Sequence, residues 1–181
     1  ATDRARFVPD GQLGTTASIS YYAWDQTAGN AGQKADATTR GGTTAYSSAS
    51  DTATPAVSDA NDAPVVTAPA AFAVAEDTEQ SGLVFTISDV DAGAGDLQFT
   101  LAALHGKLTL ASTAGLSLVA GGNGTSSMTY QGALAALNAA LDGVTYRGDP
   151  DYSGADTITL TANDNGHSGL GGPQSASDTV N

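Results

Sequence analysis

The chain has no cysteine, two histidines, one tryptophan and only 6 % aromatic residues in its 181 positions. Without cysteine there is no disulfide framework and no thiolate redox or metal chemistry, so a small extracellular fold would need another staple. Lysine and arginine number six, and Arg4, Arg6, Lys34, Arg40, Lys107 and Arg147 form no patch. Phosphate recognition requires clustered cations, which argues against a nucleic-acid partner. A net charge of −13 also repels an anionic membrane surface. No apolar run is long enough to cross a bilayer, and no secretory h-region opens the chain, so membrane insertion is not expected. The sequence starts in mid-pattern and reads as a piece of a longer polypeptide. Catalytic patterns are missing as well. His105 and His167 stand in no spacing that pairs them with a nucleophile or a zinc ligand. Gly121-Gly122-Asn123-Gly124 is a turn without the Lys-Ser/Thr of a phosphate loop. The carboxylates lie in turn motifs and not in an aromatic cleft. No enzyme is expected, and no catalytic residue is assigned. Asn123-Gly124-Thr125 matches a glycosylation sequon and is read as chance.

What remains is the composition of a β protein: 22 glycines for turns, many threonines and serines for exposed strand faces, and 40 % hydrophobic residues for a core. In residues 63–181 candidate strands fall at 65–67, 72–75, 83–88, 97–102, 107–110, 128–131, 143–146, 157–162 and 176–180. The run Leu83-Val84-Phe85-Thr86-Ile87 alternates, with Leu83, Phe85 and Ile87 on one face. Short strands with turn residues at intervals of about ten indicate an all-β sandwich. One segment breaks the pattern: 132–141 carries Leu134, Leu137 and Leu141 at helical spacing and is expected to form a short crossover helix packed on the core. Residues 1–58, with strands expected over 4–8, 16–24 and 52–57, look like the C-terminal part of an incomplete or split module. Residues 59–64 form an acidic linker, and 65–181 a nearly complete module.

The two parts repeat one another. Arg6-Phe7-Val8-Pro9-Asp10, Gly14 and the run Ile19–Asp25 parallel Val144-Thr145-Tyr146, Pro150-Asp151, Gly154 and the run Ile158–Asp164. Ile19 aligns with Ile158, Tyr21 with Leu160 and Ala23 with Ala162. Recurrence at a spacing of about 139 residues indicates tandem modules.

Of 19 acidic residues only Glu76 and Glu79 are glutamate. The aspartates cluster at strand ends or in the linker: Asp59 and Asp62, with Asn61, in the linker, Asp89 and Asp91 after one strand, Asp149 and Asp151 before another, and Asp164 after it. Calcium takes six to eight oxygens, so a site must draw on several loops. Strand alternation places Asp59, Asn61, Asp62, Asp89, Asp91 and Asp164 at one pole, faced by Asp10 from the upstream copy. Glu76, Asp149 and Asp151 fall at the other. Surface solvation alone is the competing explanation.

The Asp59-x-Asn61-Asp62 linker, Asp89-x-Asp91 and Ala162-x-Asp164-x-Gly166 resemble cadherin repeats, where such motifs ligate calcium at domain junctions. Asn61-Asp62-Ala63-Pro64, Glu76-Asp77-Thr78, Tyr152-x-Gly154-x-Asp156 and the block 138–146 are similar to the cadherin-like and Ig-like tandem repeats of giant bacterial RTX-type adhesins. That resemblance implies a bacterial, extracellular, calcium-stabilised adhesin segment, in which Ca2+ at the acidic sites rigidifies the chain as an extender or scaffold in adhesion and biofilm. The implied partners are neighbouring domains of the same chain, with an inserted or adjacent ligand-binding domain, and a monomer is expected. The alternative is a module that itself binds carbohydrate or peptide. Tyr22 and Trp24, on one face of their strand, are its candidate contact surface, set against simple packing.

Overall fold

The computed structural model describes residues 6–9, 14 and 16–181. Asp10, a candidate site residue, lies outside the described residues, as do residues 4 and 5 of the first expected strand; residues 6–9 carry no regular structure. The chain divides into two compact units, Ala1–Ser58 and Asp59–Asn181.

The first unit is built on a two-stranded antiparallel ribbon, β1 (Ile19–Trp24) and β2 (Tyr46–Ala53). The register shifts between Tyr22 and Trp24, and an isolated bridge, Thr16↔Ala56, extends the pairing. The return strand therefore lies earlier than the expected 52–57. The connection between β1 and β2 has no strand or helix of its own and is tied by turns such as Asp25 N–H to Ala45 O at 3.0 Å. Ala45 is the one buried apolar residue described in this unit.

The second unit comprises β3 (Val65–Thr67), β4 (Glu79–Val84), β5 (Thr86–Ser88), β6 (Asp96–Ala103), β7 (Gly106–Thr109), β8 (Leu116–Gly121), β9 (Ser127–Ala133), α1 (Leu134–Leu141), β10 (Asp142–Gly148), β11 (Ile158–Asn163) and β12 (Ser175–Val180). A five-stranded sheet runs β12-β11-β6-β9-β8, a three-stranded sheet β4-β10-β7, and β3 pairs with β5. Every pairing is antiparallel. The all-β architecture with one short helix agrees with the composition.

Alternation explains the core. Leu97, Phe99 and Leu101 of β6 and Ile158, Leu160 and Ala162 of β11 point to the same buried side, and Leu108, Val144 and Tyr146 come from the three-stranded sheet. Leu83, Phe85 and Ile87 share the buried face as their spacing demanded, at 5 %, 0 % and 2 % exposure. The backbone nonetheless splits there: β4 ends at Val84 and β5 begins at Thr86, so the expected single strand changes partner from β10 to β3. In α1, Leu137 and Leu141 are fully buried and Leu134 packs at the margin.

One expected strand is missing and one observed strand was not expected. Residues 72–75 form no strand; Phe72 and Val74 only lean on the core, Phe72 edge-on to Tyr146 at 6.0 Å. β8 was not foreseen. Its Leu118 and Val119 are about half exposed, and its register against β9 shifts between Leu118 and Ala120, so no clean alternation marks it. No helix among the described residues is long and apolar enough to cross a membrane.

Candidate functional site

Asp62, Asp89, Asp91 and Asp164 of the second unit gather where β5 and β11 end. The segment 59–64 is clamped there rather than hanging free. Asn61 N–H donates to Leu170 O at 2.9 Å, Leu170 N–H donates to Asp59 O at 3.0 Å, and Ala60 and Leu170 form a parallel bridge. The glycine-rich loop after β11 thus straps the segment down. At Gly169 (φ +76°) a side chain would meet the backbone of Ala60 and Asn61 at 2.4 Å, which only glycine avoids.

Asn61 is buried, at 6 % exposure, and Asp164 at 3 %. Asn61 Nδ2 donates to Asp164 Oδ2 at 2.7 Å and to Gly172 O at 2.8 Å. Asp164 Oδ1 accepts the N–H groups of Gly166 and Gln174, each at 2.8 Å. Both oxygens of Asp164 are therefore engaged inside the protein, and its role here is to organise the strap.

Asp89 and Asp91 differ. Asp91 is 4 % exposed. Its Oδ2 accepts the Asp62 N–H at 2.9 Å, while Asp89 Oδ1 accepts the Asp91 N–H at 3.1 Å. Asp91 Oδ1 and Asp89 Oδ2 are buried and have no hydrogen-bond partner. Burial, with Asp91 and then Asp164 adding repulsion, pushes the Asp89 carboxyl up to about 6. Asp91 is held below the ordinary range, chiefly by its interaction with the Asp89 carboxyl and further by the Asp62 N–H. Ser168 Oγ donates to Asp91 O and Gln174 Nε2 to Asn61 O, completing the strap.

The structure thus brings Asn61, Asp62, Asp89, Asp91 and Asp164 together, Asp62 through its backbone with an exposed side chain, and Asp59 through its carbonyl. Among the described residues no three His, Cys, Asp or Glu side chains gather closely enough to hold a metal ion between them. Any cation here would rest on the Asp89–Asp91 pair with backbone oxygen and water. At the other pole Glu76, Asp149 and Asp151 are exposed. Glu76 borders an open cleft of about 440 Å³ with Tyr146 and Tyr152, and Asp149 N–H is bound to His105 O at 2.9 Å.

Ser168 and Gln174, which tie the strap, carry no motif and were not foreseen. In the sequence Asp156 stands out only as part of Tyr152-x-Gly154-x-Asp156. Its Oδ1 accepts the N–H groups of Leu104, His105 and Thr157 at 3.1, 3.0 and 2.7 Å, and its Oδ2 the Tyr146 hydroxyl at 2.8 Å. An aspartate just before a strand is the signal that would have marked it. In the first unit Tyr22 lies under the Arg40 guanidinium at 4.3 Å, and Trp24 Nε1–H donates to Ala28 O at 2.7 Å.

With this geometry in place, comparison with known proteins gives one finding. The family described as "Protein GAMETE EXPRESSED 2 domain" matches residues 81–170, from β4 through the strap. No curated protein and no solved structure matches the chain. The match overturns the resemblance to bacterial RTX-type adhesins, and with it the calcium-stabilised adhesin extender or scaffold and its biofilm role. The residues 138–146 that carried much of that resemblance fall inside the matched span, and the chain is similar there to a domain of a gamete-expressed protein.

Proposed function

We propose that residues 59–181 are a non-catalytic, Ig/cadherin-like β-sandwich domain of a gamete-expressed protein, working outside the cell, whose linker-side pole takes one hard divalent cation. The family match over 81–170 supports the first part. The observation that carries the cation is the pair of buried, unpartnered oxygens Asp89 Oδ2 and Asp91 Oδ1. Buried polar atoms are ordinarily satisfied, and two buried carboxylate oxygens without a donor suit a ligand that is hard and positive. All-oxygen donors suit calcium, and a pole with several backbone carbonyls and access to water suits its high coordination number. Bound there, the ion ties the β5 end to the 59–64 segment through the Asp62–Asp91 contact, so entry of the chain into the domain becomes fixed.

The tandem relation of the two units also belongs to this proposal. β1 and β11 begin at the aligned Ile19 and Ile158, and each runs into an aspartate that accepts the N–H two residues on at 2.8 Å, Asp25 from Thr27 and Asp164 from Gly166. The domain's partners are its own neighbouring units, and it acts as a monomer.

Thermal unfolding of metal-free protein across a calcium titration, with magnesium as control, tests the cation. At calcium about 100 times Kd, with Kd in the extracellular range of about 10⁻⁴–10⁻³ M, one site adds about 2.7 kcal/mol. Asp91→Asn removes that gain and leaves the metal-free protein folded. A melting temperature indifferent to calcium sinks the proposal. Transcript or protein detection in gametes of the source organism tests the family reading separately.

A further inference from the structure

The long connection between β1 and β2 is the largest stretch without regular structure described in the first unit, and loops of such length in compact folds are either functional or linkers. Its first half curls beside Trp24 and Tyr46 to leave an open cavity of about 540 Å³. Trp24, Tyr46, Asn30, Gln33 and Gly32 line it, with two alanines completing the wall. The indole is fixed by its Nε1–H bond to Ala28 O at 2.7 Å. Gly29, at φ +86°, sets the loop against the rings: a Cβ there would stand 3.6 Å from Tyr46 Oη and 3.9 Å from Trp24 Cζ2.

The chemistry of this wall is specific in what it omits. The chain carries 19 acidic residues, and not one charged side chain lines the cavity. Neither a cation nor an anion is selected. Two aromatic side chains offer apolar contact for C–H groups, and two side-chain amides each offer a donor and an acceptor for hydroxyls. A cavity of this size is within the range of small-ligand pockets and is short for an extended peptide. Of the other two aromatics of β1, Tyr22 is capped by Arg40 and Tyr21 donates its hydroxyl to Asp51, and neither lines the cavity.

We propose that this cavity is a binding site for a neutral saccharide unit, stacked on Trp24 and Tyr46 and held through its hydroxyls by Asn30 and Gln33. A single sugar ring offers few atoms, so Kd is on the order of millimolar.

Trp24 is the only tryptophan of the chain, so its fluorescence reports on this cavity alone. The experiment titrates the whole chain with glucose, galactose, mannose, N-acetylglucosamine and their disaccharides up to about 100 mM, well above a millimolar Kd. Glycerol serves as the acyclic control. The expected result is a saturable change with at least one sugar, absent with glycerol, and weakened about 5- to 10-fold by Asn30→Ala and by Gln33→Ala. Both residues are exposed loop positions, so the variants keep the melting temperature of the parent. The absence of a saturable response to any sugar overturns the proposal. A response unchanged in both variants overturns it too.

Discussion

Asp89 is where charge, burial and proton meet. Its carboxyl titrates near 6 in the folded protein, against about 3.9 for a free aspartate. The folded state therefore binds more protons than the unfolded chain between about pH 4 and 6, and stability falls as pH rises through that window. The expected outcome is a metal-free protein whose melting temperature is higher at pH 5 than at pH 7.5. Saturating calcium reverses that order, because the ion requires both carboxylates ionised. Scans at the two pH values, with and without calcium, check this, and Asp89→Asn flattens both dependences. The gathering of Asp89, Asp91 and Asp164 was legible in the sequence because each follows a strand that runs to the same pole. The strap was not: Asn61, Ser168 and Gln174 act across chain separations of about a hundred residues, or between loop positions with no periodicity, and only folded coordinates pair them.

At the scale of elements, two asparagines stand in for missing strand neighbours. Asn138, on α1, accepts the Ile87 N–H and donates to the Ile87 carbonyl, both at 2.8 Å. Asn123 does the same for Leu110 at 2.7 and 3.0 Å. A side-chain amide reproduces the donor–acceptor pair of a peptide and satisfies backbone that no strand reaches. Asn138→Ala leaves the buried Ile87 without either bond and is expected to cost about 2–4 kcal/mol, at roughly 1–3 per unsatisfied group. Urea denaturation reads the loss, and Asn138→Asp should recover only the N–H bond. The leucine spacing of 132–141 announced the helix, and the core positions Leu137 and Leu141 with it. The role of Asn138 could not be read, because a polar residue on a short helix ordinarily faces water. The break of 83–88 at Phe85 was likewise hidden: alternation fixes which face a residue takes and is silent on which neighbour the backbone pairs with.

For the whole molecule, the core is unevenly shared. Every buried apolar residue described, apart from Ala45, lies in 59–181. Two-stranded ribbons are marginal in isolation. Residues 59–181 produced alone are expected to unfold in one cooperative transition, within a few degrees of the corresponding transition in the full chain. Residues 1–58 alone are expected to show no β signal. Circular dichroism of the two fragments decides this, and a folded 1–58 fragment would refute it.

The register shift in β8 has a consequence for life in concentrated solution. β8 ends the five-stranded sheet, with Leu118 and Val119 exposed at 54 % and 52 %. A flat, apolar rim of this kind would template the rim of another copy and grow into aggregates. The extra residue at Val119 breaks the rhythm of free amides and carbonyls, so an incoming strand finds agreement over only a few positions before it is thrown out of step. Removing Val119 would restore that rhythm, and light scattering at rising concentration would then record the growth that the irregularity now prevents.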